Sequence, residues 1–100
     1  MKAEEIKNTK FAVLGAGRSG MAITKLLLNN GAKEILLTDE KELTEEILNI
    51  KTDNLKIESK GFTDSILDYD VIIKSPGIPP SKEILVKAKS LKKKIYSEVE

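Results

Sequence analysis

The 100-residue chain has no cysteine, no histidine and no tryptophan, and Arg18 is its one arginine. Without cysteine, no disulfide, thiolate nucleophile or zinc–thiolate site can form. Without histidine or an acid-rich ligand cluster, a dedicated metal site is not expected, and most catalytic templates are ruled out. Charge of one sign is also missing: 17 basic and 16 acidic side chains leave a formal +1. A nucleic-acid surface that depends on a large basic excess is therefore not expected. No apolar run approaches the ~20 residues that span a bilayer. The Met1-Lys2-Ala3-Glu4-Glu5 start is acidic and has no signal-type apolar region behind it, so no membrane partner and a cytoplasmic location are expected.

What is present is a core. Twelve Ile, twelve Leu and four Val stand among the 40% apolar residues, which excludes a composition-driven disordered chain. At this length roughly 65% of the unfolded surface can be buried, enough for one domain over residues 1–100. No internal repeat, low-complexity tract or Gly/Ser linker divides it.

Five short apolar runs read as strands: Phe11–Leu14, Ile35–Leu37, Leu55–Ile57, Val71–Ile73 and Ile95–Tyr96. The first and fourth are continuous rather than alternating, as in parallel strands covered on both faces. Between the runs, the spacing of Ile23, Leu26, Leu27 and Asn30 predicts a helix over Ser19–Asn30, ended by Asn30-Gly31. A second helix is expected around Leu43–Leu48 with Thr44 as cap, and a short one over Thr63–Asp68. After Pro79-Pro80, Ser81 is a good N-cap for a helix whose apolar face is Ile84, Leu85, Ala88 and Leu91 and which ends in Lys92-Lys93-Lys94. That lysine run complements a helix dipole and is assigned no function, and neither is Lys74. The expected fold is α/β: a Rossmann-like open, mostly parallel five-stranded sheet with helices on both faces. Its ligands would bind beyond the carboxyl ends of the strands.

Gly15-Ala16-Gly17-Arg18-Ser19-Gly20 follows the first strand directly and opens the first helix. In that context a G-x-G-x-x-G match is informative. Gly15 permits the tight turn, Gly17 lets backbone approach a ligand, and Gly20 lets helix pack near strand, with helix N–H groups facing a diphosphate. A strand-to-helix turn alone would also use glycines, but the flanking strand and helix favour phosphate binding. Asp39 ends the second strand, 19 residues after Gly20, where an acid accepts from a nucleotide; a ribose diol is one candidate. Asp39 and Glu42 also have the spacing of a capping box, and both roles stay open. These features alone favour a nicotinamide or flavin dinucleotide module. The fourth strand then runs into Lys74-Ser75-Pro76-Gly77-Ile78-Pro79-Pro80, a rigid turn that serves equally as a strand terminator or as a ledge for a flat ring or sugar.

Val13–Ala22, Leu37-Thr38-Asp39, Lys74–Pro79 and Ser97-Glu98-Val99-Glu100 together resemble the N-terminal domain of the D-glutamate-adding Mur ligases over essentially the whole chain. The S-P-G-I-P turn followed by S-E-V-E is the most particular part of the match. The resemblance implies a cytoplasmic step of peptidoglycan synthesis in which this domain holds the UDP moiety of UDP-N-acetylmuramoyl-L-alanine. It puts Gly17, Arg18 and Ser19, with Gly15 and Gly20 of the same loop, at the diphosphate and nucleoside. Asp39, Glu40 and Lys41 fall on the uracil pocket, and Ser75 and Gly77 on the turn against it. Asp39 would accept from uracil N3–H, and the backbone N–H groups of residues 40 and 41 would donate to O4.

In that family further domains bind ATP, Mg²⁺ and D-glutamate, and the reaction passes through an acyl phosphate. No G-x-x-x-x-G-K-[ST] loop occurs here, so this chain alone is expected to bind no cofactor, to supply no catalytic residue and to be inactive. The alternatives are a stand-alone module for NAD(H) or an adenine nucleotide, and a structural α/β domain with no small ligand.

Overall fold

The computed structural model describes residues 3–97. Glu98, Val99 and Glu100 of the S-E-V-E segment lie outside the described residues, as do Met1 and Lys2. The elements, in chain order, are α1 (Ala3–Lys7), β1 (Lys10–Leu14), α2 (Arg18–Asn29), β2 (Glu34–Thr38), α3 (Glu45–Leu48), β3 (Leu55–Glu58), a 3₁₀ turn (Asp64–Asp68), β4 (Val71–Lys74), α4 (Glu83–Ser90) and β5 (Lys94–Ser97). The five strands form one sheet in the order β3-β2-β1-β4-β5, and every pairing is parallel.

Central β1 is buried from Phe11 through Leu14, which explains its unbroken apolar run. Its pleat sends alternate residues to two cores. Phe11 and Val13 join Ile35, Leu37, Leu27 and Ala32 on one face. Ala12 and Leu14 join Leu36, Ile72, Ile66, Ile84, Leu85 and Ala88 on the other. Each fully buried Leu, Ile or Phe contributes about 1.5–3 kcal/mol of transfer free energy, so the two layers hold the sheet from both sides. Among the described residues no helix is long and apolar enough to cross a membrane.

Helix α2 starts one residue before the predicted Ser19, and its buried face is Gly20, Thr24 and Leu27. Leu26, predicted to face inward, is 58% exposed. The apolar pattern misreads this face because a threonine holds part of it: the Thr24 hydroxyl donates to the Gly20 carbonyl at 2.8 Å, so it is buried with its hydrogen bond made. The C-terminus closes as predicted, with Gly31 at φ +75° donating to Leu28 O and Ala32 to Leu27 O.

Thr44 caps α3, accepting from Ile47 N–H at 3.4 Å, and Thr63 caps the 3₁₀ turn, accepting from Ser65 N–H. Ser81 does not cap α4. Lys82 N–H donates to Pro79 O, so Ser81 lies inside a turn, and Lys82 occupies the N-cap position with no side-chain cap. Leu91 lies beyond α4 and is 56% exposed. Helix α1, which no sequence signal marks, places Ile6 in the α2-side core.

The third crossover has room for only a 3₁₀ turn, and a polar cluster completes this side at the amino end of the sheet. The Tyr69 hydroxyl donates to Glu34, Lys56 lies 3.7 Å from Glu34, and the Lys10 ammonium sits 5.1 Å from the Tyr69 ring centre. The Tyr69 bond holds the Glu34 carboxyl below its ordinary value of 4.5, against the opposing effect of burial and with help from Lys56 and Lys10. Tyr69 is pushed up, by burial first and then by Glu34.

Leu27→Ala is expected to cost about 2–5 kcal/mol in urea unfolding, whereas Leu26→Ala stays within about 0.5 kcal/mol of wild type; equal losses would contradict the assigned face. A depressed carboxyl stabilises the fold above its unfolded pKa and ceases to as pH falls through the folded one. Tyr69→Phe is accordingly expected to cost about 1.5 kcal/mol at neutral pH. The gap from wild type should narrow as urea titrations move below the ordinary carboxyl value of 4.5 and on through the depressed folded pKa of Glu34.

Candidate functional site

Strand β1 is the point where the order reverses, since β2 and β4 flank it. Its carboxyl end, with those of its two neighbours, gathers three loops: residues 15–20, 39–41 and 75–80. This is the crevice where open parallel sheets bind ligands.

Gly15 has φ +106°, and a Cβ there would stand 3.0 Å from the Ser75 Cβ. Its N–H donates to Thr38 O at 2.8 Å, while Ser75 N–H donates to Leu14 O at 2.9 Å. Gly15 and Ser75, 60 positions apart in sequence, are therefore in contact. Gly17 is different: φ is −75° and a Cβ there would meet nothing within 4 Å, so the fold leaves open space above it. Gly17 is the N-cap of α2 without a side-chain cap, and its carbonyl accepts from Met21 N–H. The N–H groups of Gly17, Arg18, Ser19 and Gly20 have no backbone or side-chain acceptor among the described residues, as expected of a first helical turn. Arg18 is exposed, Ser19 half-buried and Gly20 buried against the core.

Asp39 links two of the loops. Its Oδ2 accepts from Ala16 N–H at 2.9 Å and its Oδ1 from Lys41 N–H at 3.0 Å. Asp39 caps no helix: α3 begins six residues later under Thr44, and Glu42 instead lies 3.7 Å from Lys60. Because Lys41 N–H is already donated, Glu40 N–H is the free donor of the expected pair.

The 75–80 turn is braced internally. Ile78 N–H donates to Ser75 O, the Lys74 ammonium donates to Ile78 O at 2.9 Å, and Gly77 N–H donates to Ser75 Oγ at 3.4 Å. Gly77 is exposed at its tip. Sequence reasoning misses Lys82, whose ammonium lies 2.6 Å from the Glu40 carboxylate. With the partners 42 positions apart, only the fold brings them together. Among the described residues, no group of three or more potential ligands is gathered to hold a metal ion.

The arrangement is thus a Rossmann-like α/β domain whose exposed helix N-terminus, acid and proline–glycine turn meet at the switch point. The sequence pattern of the MurD N-terminal domain matches residues 10–84, and the chain belongs to that family. It is 39% identical over 99 residues to the UDP-N-acetylmuramoylalanine–D-glutamate ligase of Elusimicrobium minutum, covering 99% of this chain and 21% of the relative. The ligase of the same name from Chlorobium luteolum is 34% identical over 101 residues, covering 100% of this chain and 22% of the relative. That of Geotalea daltonii is 34% identical over 100 residues, with 96% and 22% covered. The chain spans about a fifth of the length of these curated relatives.

The two glycines of the loop should separate on substitution. Gly15→Ala combines positive-φ strain with the Ser75 contact and is expected to cost about 2–4 kcal/mol of unfolding free energy. Gly17→Ala, with ordinary φ and open space, should cost less than about 1 kcal/mol. Similar losses at both positions in a denaturant titration would contradict this geometry.

Proposed function

We propose that this chain is the UDP-binding domain of a D-glutamate-adding ligase of peptidoglycan synthesis and that it holds the UDP moiety of UDP-N-acetylmuramoyl-L-alanine. The observation that carries the reading is the position of the unpartnered N–H groups of α2 beside Asp39 and the 75–80 turn, in a chain of this family. N–H groups at the start of a helix favour a diphosphate without any basic patch. Residues 17–19 are the proposed diphosphate contacts, with Gly15 and Gly20 shaping the loop. Arg18, exposed in the first turn, can add a charge-assisted contact.

An ionised carboxylate has about four acceptor sites. Asp39 can therefore keep its two internal bonds and still accept from uracil N3–H, while Glu40 N–H donates to O4. Lys41 contributes by orienting Asp39 through its backbone N–H, which is then not available to O4. Ser75 braces the turn, and Gly77 leaves its surface free of a side chain where a flat ring would lie. In the intact ligase, ATP, Mg²⁺ and D-glutamate would be bound by portions beyond this chain, in the cytoplasm, and the isolated domain would bind substrate without turnover.

Calorimetric titration of the chain with UDP and with NAD⁺ tests the reading. UDP is expected to bind in preference to NAD⁺. Ser19→Ala should weaken UDP by about tenfold, the loss of roughly one hydrogen bond to a charged group, and Asp39→Ala by more, because it also releases the Ala16 and Lys41 N–H groups. Gly17→Ala should weaken UDP while leaving the fold intact. Preference for NAD⁺ would replace this reading with a stand-alone dinucleotide module.

A further inference from the structure

The Glu40–Lys82 ion pair joins the loop after β2 to the residue that precedes α4. Since β2 and β4 lie on opposite sides of β1, the pair links chain segments that leave the sheet on either side of β1. Both partners are anchored from behind. Lys82 donates its N–H to Pro79 O at 3.0 Å, and its carbonyl accepts from Leu85 and Val86 N–H. Glu40 sits between Asp39 and Lys41, the two residues tied by the Oδ1 bond. The neighbouring charges are otherwise engaged: Lys87 lies 3.6 Å from Glu83 and 3.4 Å from Asp64. Glu40 and Lys82, with Phe62, Ile84, Glu83 and Lys87, also line an open cavity of about 230 Å³ on the α4 side of the pair.

We infer that the Glu40–Lys82 pair is a positioning strap for the nucleoside pocket. It holds the 39–41 loop and the 75–80 turn at one spacing, and neither charge needs to touch the ligand through its side chain. The inference rests on the UDP reading above. Its physical basis is preorganisation: two loops held in the bound arrangement do not have to be ordered when the ligand arrives. The partners are 38% and 45% exposed, so the pair adds little to global stability. Its effect should show in binding instead.

The test compares UDP with uridine, which carries no phosphate charge, by chemical-shift titration of the wild-type chain, Glu40→Gln, Lys82→Met, the double variant and the charge swap Glu40→Lys/Lys82→Glu. The strap requires both single variants to weaken uridine about three- to fivefold. It also requires the double variant to be no weaker than the singles, the swap to recover most of the loss, and thermal unfolding to move little. If Glu40→Gln tightens UDP, Lys82→Met weakens it and uridine is unaffected by either, the two charges act only through the phosphate field and the strap is wrong. Additive losses without recovery in the swap, or losses that track melting temperature, would overturn it equally. If wild type binds neither UDP nor uridine, the failure belongs to the UDP reading itself.

Discussion

The carboxylate of Asp39 takes Ala16 N–H on one oxygen and Lys41 N–H on the other, while the Asp39 carbonyl accepts from Gly61 N–H. Charge-assisted bonds are among the stronger polar interactions available to a fold, and the one from Ala16 N–H is part-buried as well. Here they set the relation between two loops that share no covalent neighbour. Ala16 is the residue between the two glycines. Consuming its N–H ties the loop inward at that position, and the next four N–H groups, at the start of α2, have no acceptor among the described residues. The Gly15–Ser75 contact then brings the third loop against the same point. The geometry of the carboxyl edge therefore depends on one acid and one glycine acting from adjacent strands.

That acid raises an electrostatic question for a site proposed to take a diphosphate. Asp39 and Glu40 place two negative charges beside it, and the whole chain carries a formal charge of only +1. Both charges are compensated locally, Asp39 by two N–H dipoles and Glu40 by the Lys82 ammonium. The field at the start of α2 is then left to its unpartnered N–H groups and to Arg18. A binding site for an anion can in this way be built into a nearly neutral chain.

The strands, their parallel class and the glycine loop are legible in the sequence because their signals are local: an unbroken apolar run, a glycine at a turn, a threonine before a short helix. What escapes is set by partners distant in sequence or by polar residues that are satisfied when buried. Apolar periodicity cannot register the Thr24 hydroxyl bonded to its own helix, so it assigns Leu26 to the buried face instead. Capping preference selects Ser81 over Lys82, but the turn begun at Pro79 moves the helix start by one residue. At the site, the position and chemistry of Asp39 are readable, whereas its engagement with Ala16 and Lys41 is not. Lys82 leaves no mark at all, since a lysine before a helix is ordinary until Glu40 is found opposite it.

The short third crossover gives the two ends of the sheet different characters. A full helix over β2 and β3 would have covered the α4-side face along its length; the 3₁₀ turn buries Ile66 and leaves the amino end to polar groups. There Tyr69 bonds Glu34 across β1, from the residue two before β4 to the first residue of β2, and Lys10 and Lys56 add their charges. Strands β1 and β2 and the segment that enters β4 are therefore pinned at their beginnings by side-chain contacts. Register fixed at one end of a parallel sheet is carried along it by the ladder, so the carboxyl ends of β1, β2 and β4 do not need side-chain bridges between the strands themselves. Their loops can then keep open space and N–H groups that have no acceptor among the described residues, the two things that the proposed site for a phosphate and a flat ring requires.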